Sequence, residues 1–228
     1  MNATPLFVIL LLVGTAGSAL GQGTLEWGNF FTDTLRAPVY GPIPNYPTCV
    51  LTGNTPTGIP AGTQDYGGAP LLSGTGFTMA IFDGGSESEA RAAISHLGSA
   101  PFRSGLAAGF VNSFTVTDPV RPPGTTGVHV QFRAWDNQNG TITSWAQVLA
   151  SGGMVPFGYS DVFTIGPLGG TDQFGMTHPT PLTTGFRSFN LSLTGLGPGD
   201  LPGCPVPEPS TWVILAGAGS LFLACRRR

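Results

Sequence analysis

The stretch Val128-His129-Val130-Gln131-Phe132-Arg133-Ala134-Trp135 alternates strictly. Val128, Val130, Phe132 and Ala134 fall on one side of an extended chain, and His129, Gln131, Arg133 and Trp135 fall on the other. A period of two over eight residues is the mark of a strand. Here it predicts one aliphatic face and one polar and aromatic face. Working outward, residues 77–82 read as a second strand, stopped by the turn residues Asp83-Gly84-Gly85. Residues 110–116 read as a third, and residues 23–30 and 37–40 supply candidates near the start. On the far side, residues 161–165 form another. Phe189, Leu191 and Leu193, alternating with Asn190 and Ser192, form the last.

One segment breaks this pattern. Ser86 with Glu89 three residues on makes a capping box, and Ala90, Ala93, Ile94 and Leu97 recur at i, i+3, i+4 and i+7 before Gly98. The spacing predicts an amphipathic helix of about eleven residues lying against an end or face of the sheet. Residues 144–150 suit a short helical turn. Residues 41–76, rich in Pro, Gly and Thr without a sustained period, read as a long surface loop. One amphipathic helix among at least six strands predicts a mainly β chain with an antiparallel β-sandwich as its body. A signal helix precedes that body and an apolar helix follows it.

Composition agrees. Of 228 residues, 35 are Gly, 10% are aromatic and only 9% are charged, a profile of short strands and turns. No Lys occurs, and residues 22–206 hold six Arg against eleven Asp plus Glu, a net charge of −5. Such a surface repels phosphate backbones, which excludes nucleic acid as a partner.

The two ends read differently from the body. Residues 6–13 are unbroken apolar and lead into Ala16, Gly17, Ser18 and Ala19, the form of a secretory leader over residues 1–21. The body occupies residues 22–194 and a Gly/Pro linker residues 195–206. After it come Pro207, Glu208, Pro209, Ser210 and Thr211, a Pro-flanked stretch that presents extended backbone. The fourteen residues 212–225 follow, anchored by Trp212, Val213, Ile214, Leu215, Leu221, Phe222 and Leu223. Arg226, Arg227 and Arg228 then act as a stop signal. As a helix this run measures roughly 21 Å, short of a hydrocarbon core of about 30 Å, so it predicts a marginal and temporary anchor.

Residues 207–228 closely resemble the PEP-CTERM sorting signal of Gram-negative bacteria. The resemblance implies export and temporary tethering in the inner membrane with the body outside the cytoplasm. It further implies cleavage by an exosortase-like protease near Pro207, Glu208 and Pro209, and delivery to the cell surface or extracellular matrix. Association with extracellular polysaccharide or biofilm follows from the same resemblance. "GTLEWGNF", "APVYG", "VQFRAWDNQNG" and "SDVFTIGPLGG" resemble the uncharacterised β-rich bodies of a group of such proteins.

Chemistry in the body is sparse. Asp136-Asn137-Gln138-Asn139-Gly140 offers oxygens to Ca²⁺, but it lacks the third-place acid and the distal Glu, and Asn139-Gly140 favours a turn. Arg133 beside Trp135 reads first as a cross-strand pair covering the sheet, with a sugar-stacking surface as the alternative. There is no G-x-S-x-G elbow and no marked carboxylate pair. Asn139 and Asn190 head sequon-like triplets that read as incidental. Cys49 and Cys204 either pair across a long loop or remain two small apolar thiols. With scattered His and no CxxC, no metal or cofactor is predicted. The expectation is therefore a non-enzymatic exported protein. A carbohydrate-binding module or carbohydrate-active enzyme with the same tail is the alternative.

Overall fold

The computed structural model describes residues 21–193. The leader through residue 20 and all of residues 194–228 lie outside the described residues. With them lie Cys204 and the whole predicted sorting signal.

The alternating stretch is the middle of the molecule. Strand β7 (His129–Asp136) pairs antiparallel along its full length with β4 (Phe77–Gly84), which carries β5 (Gly98–Pro101) on its other edge. The opposite edge of β7 is shared by β8 (Phe157–Tyr159) and β9 (Phe163–Thr164). Between these two, Ser160 substitutes its hydroxyl for a main-chain partner. Its Oγ accepts from the Phe132 N–H at 3.0 Å and donates to the Asp161 carbonyl. A second pair, β1 (Gly23–Trp27) with β6 (Phe114–Asp118), is also antiparallel. The ribbons β2 (Phe30–Phe31) with β3 (Leu35–Arg36) and β10 (Gly170–Thr171) with β11 (Thr177–His178) are two residues long on each side. The chain is thus mainly β with antiparallel sheets, as expected.

Successive residues of β4 and β7 point to opposite faces, and both faces are buried. Met79 and Ile81 join Val130, Phe132 and Ala134 in one core with Leu25, Trp27 and Val116 of the β1/β6 pair and Phe186, Phe189 and Leu191. Trp27 stacks on Phe132 with ring centroids 5.5 Å apart. Ala80 and Phe82 join Trp135 and Phe157 in a second core beneath Trp145 and Val148. The polar and aromatic face of β7 is therefore an interior. Gln131, Arg133 and Trp135 are 3%, 1% and 0% exposed, because two short helices cover them.

Of those helices the first is shorter than expected, and the second falls where residues 144–150 suggested a short helical turn. The first, α1 (Glu87–Ala92), has six residues where about eleven were expected. Ser86 caps the Glu89 N–H, and Glu89 reaches back to the N–H of Gly85 rather than that of Ser86. The helix ends because Ala93 turns extended and the Leu97 N–H already bonds to the Ile81 carbonyl, so residues 93–97, which the periodicity had assigned to helix, form the connection into β5. The second helix, α2 (Trp145–Ala150), opens on a complete capping box between Ser144 and Gln147. Gly84 is required where α1 crosses β4, since a Cβ there would sit 2.4 Å from the Ala90 nitrogen.

Other expected strands shrink. Residues 37–40 and 189–193 make isolated bridges, among them Tyr40 with Asn190 and Ser192 with Phe157. Residues 41–76 are a loop, but Ile43, Cys49, Asn54, Tyr66 and Leu72 anchor it in the interior. The turn after β7 centres on Gln138 and Asn139, both left-handed, with Gly140 N–H closing on the Asn137 carbonyl at 3.0 Å. That is one residue earlier than the Asn139-Gly140 signal suggested.

Candidate functional site

Arg133 is the least expected residue in the fold. Its guanidinium lies 4.0 Å over the Phe82 ring and 4.8 Å from the Trp145 ring. Its Nε donates to Gln131 Oε1 at 3.0 Å and its Nη1 to the Ala93 carbonyl at 2.7 Å. Its Nη2 donates to the carbonyls of Ala90 and Arg91 at 2.8 and 2.9 Å. These carbonyls are the ones that a short helix leaves unpaired at its C-terminal end, where the backbone dipoles also favour a cation. Gln131 in turn donates to the Ser160 carbonyl, so one polar chain ties the end of α1 to the break between β8 and β9. Burial pulls the Arg133 pKa down to about 10, which leaves it charged at neutral pH.

Beside it opens a cavity of about 420 Å³ between α1, α2 and β8. Arg133 and Gln131 form its floor, Trp145, Phe157 and Tyr159 its walls, and the exposed Ile94 and Leu149 its rim. The volume falls in the range of small-ligand sites. No acidic side chain lines it. Trp135, expected beside Arg133 on a stacking surface, is fully buried, with its indole N–H bonded to the Ile142 carbonyl at 3.0 Å. Of the aromatic side chains that do line the cavity, Trp145 and Phe157 are buried and Tyr159 is partly exposed. Sequence reasoning missed them because α2 and β8 are short, and only their folding against β7 brings them together.

His96 packs edge-on against Phe82 from the loop after α1, with ring centroids 5.9 Å apart. Burial lowers its pKa below the ordinary 6.5. A depressed folded value means that the folded chain resists protonation, so this contribution to stability is complete above about pH 6.5 and is lost as pH falls through the folded pKa. Urea midpoints near pH 5 and near pH 7.5 are expected to differ less in His96→Gln than in the parent. Equal differences would remove His96 from the acid response.

The structure also brings two carboxylates together. Arg121 Nη1 donates to both Asp83 of β4 and Asp118 of β6, the latter at 2.7 Å. Asp118 further accepts from the N–H groups of Val120 and Arg121. Burial raises the Asp83 pKa although Arg121 opposes it. The cluster ties the central sheet to the β1/β6 pair, with each carboxylate committed to the same cation.

In the 136–140 loop, Asn137 spends its side chain on the Thr75 carbonyl, the Thr78 hydroxyl and the Gly140 N–H. Its oxygens therefore build a turn. Of the two sequon-like triplets, Asn139 is exposed, whereas Asn190 is fully buried. Cys49 is 5% exposed and disulfide-bonded. Pro207, Glu208, Pro209, Ser210 and Thr211, the anchor residues from Trp212 to Leu223, Arg226, Arg227 and Arg228 all lie outside the described residues. Among the described residues no helix is long and apolar enough to cross a membrane.

Neither the curated proteins nor the solved structures include one that matches this chain. The resemblance read in the body therefore has no support beyond its own short motifs. At the C-terminal end the result differs, because residues 205–228 match the family model of the PEP-CTERM protein-sorting motif. The match begins two residues before Pro207 and runs through the apolar segment to Arg228, and over that stretch the chain carries a PEP-CTERM export and sorting signal.

Proposed function

We propose that this chain is an exported surface or matrix protein whose folded body is non-catalytic and whose tail is processed by an exosortase-like protease. The observation that carries this reading is the sorting motif at residues 205–228, placed after a body whose described part ends at residue 193. A leader over residues 1–21 delivers the body across the inner membrane, and residues 212–225 hold it there transiently. Cleavage near Pro207, Glu208 and Pro209 sends it to the cell surface or extracellular matrix, in contact with extracellular polysaccharide. The central sheet and the β1/β6 pair, facing each other across one core, form in this reading a small β-sandwich whose second face is closed by α1 and α2.

A second reading, a carbohydrate-binding module, is favoured by the cavity beside Arg133, where the partly exposed Tyr159 and the apolar rim of Ile94 and Leu149 surround an opening of small-ligand size. The enzyme alternative would draw on Asp83 and Asp118, but both are engaged by Arg121.

One experiment addresses these readings. The full chain, a chain ending at Cys204 and an Ile94→Trp chain that fills the cavity are expressed in a bacterium with the processing machinery, then fractionated. The full chain is expected in the surface and matrix fraction with leader and tail removed by intact mass. The shortened chain is expected to leave that fraction for the medium. An uncut cytosolic full chain, or equal partition of the shortened one, overturns the sorting reading. Loss of Ile94→Trp from the polysaccharide with normal processing supports the binding module, and unchanged retention removes the cavity from consideration.

A further inference from the structure

We propose that Cys49 is bonded to Cys204, so that the body is covalently closed onto the linker three residues before Pro207. The C-terminus created by processing is then held on the body. The position of the cut rests on the sorting reading above, whereas the pairing rests on Cys49 and its surroundings.

Cys49 is disulfide-bonded, and the chain offers it two partners, Cys204 and Cys225. The last described residues run directly past it. Asn190 donates through Nδ2 to the Cys49 carbonyl at 2.8 Å and accepts from the Leu51 N–H at 2.7 Å. Ser192 Oγ donates to the Thr48 carbonyl at 3.1 Å, and the Leu193 N–H donates to the Pro47 carbonyl at 2.9 Å. The polypeptide therefore leaves the described body beside residues 47–51. Cys204 follows Leu193 by eleven residues, an extended reach of roughly 36–40 Å. Gly195, Gly197, Gly199 and Gly203, with Pro198 and Pro202, supply the turn residues needed to come back.

Cys225 fits badly. It closes the apolar run beside Arg226, and on the sorting reading that end faces the cytoplasm, where thiols stay reduced. Pairing it with Cys49 would also draw the apolar run away from the bilayer.

The bridge changes the tether. Without it, fourteen residues separate Leu193 from Pro207, with a reach of about 50 Å. With it, Pro207 lies within about 10 Å of the bridging cysteine and Trp212 within about 30 Å. Because the cut falls after Cys204, the mature protein keeps the bridge.

Thiol alkylation of the denatured, unreduced full chain tests this pairing, with Cys204→Ser and Cys225→Ser alongside. Cys49 is expected to stay unlabelled in the parent and in Cys225→Ser, and to label fully in Cys204→Ser. A chymotryptic map of the unreduced parent, which needs no variant, is expected to show the Cys49 peptide joined to the one holding Cys204. Labelling of Cys49 in the parent, or protection of Cys49 in Cys204→Ser, overturns the pairing. Intact mass of the same samples separates the two readings. A cut tail with Cys49 labelled sinks the bridge alone, an uncut tail with the bridge in place sinks the sorting reading alone, and a bridge to Cys225 sinks both.

Discussion

Arg133→Met is expected to lower the stability of the body by about 3–5 kcal/mol, read as a lower denaturant midpoint with an unchanged slope. The size follows from what stays behind. The carbonyls of Ala90, Arg91 and Ala93 lose the donors that close the end of α1, and each buried group left unpaired costs about 1–3 kcal/mol. The contacts of the guanidinium with Phe82 and Trp145 are lost as well, and a Met side chain recovers only part of that packing. Arg133→Lys is expected to recover only a minor part of the loss, because one ammonium cannot reach three carbonyls and Gln131 in the geometry of a planar fork. If Arg133→Met unfolds within about 1 kcal/mol of the parent, the guanidinium is not what holds α1 to the sheet.

Asn190→Leu is expected to cost about 3 kcal/mol or more. Asn190 is fully buried and bonds to the Cys49 and Leu191 carbonyls and the Leu51 N–H. Leu fills a similar volume but satisfies none of these groups. Gly158 shows how closely the segment is packed, since a Cβ there would lie 2.3 Å from the Asn190 carbonyl oxygen. The loss has a local signature as well. Amide hydrogen exchange should rise at residues 47–53 before it rises in β4 and β7, because Asn190 fastens the long loop and the exit of the chain to each other. Uniform exchange across the body would show that the loop is held by other contacts.

Particular elements show where sequence reading succeeds and where it stops. Strand β7 was legible because a period of two persists over its whole length, and β4 because a Phe-rich run ends on Gly. Strands β5 and β8 were not legible. Gly98-Ser99-Ala100-Pro101 and Phe157-Gly158-Tyr159 carry no pattern of their own and become strands only as edges of β4 and β7. The cap of α1 was visible at Ser86, but the end of the helix was set at a distance, by Arg133 taking its last carbonyls and by Leu97 bonding to Ile81. The cavity beside Arg133 escaped notice for the same reason, as the end of α1 lines it together with α2 and β8 from more than fifty residues further on.

The sorting signal lies at the opposite extreme, since a short linear motif is specified by its order of residues and is legible without the fold. Sequence alone therefore determined the sorting signal of this protein, its β character and the central strand, all of which depend on local composition and period. Tertiary structure alone decided that the polar face of β7 is an interior, that Arg133 closes a helix instead of meeting solvent, and that Cys49 lies beside the exit of the chain. Each of these depends on which distant segments come to lie against one another.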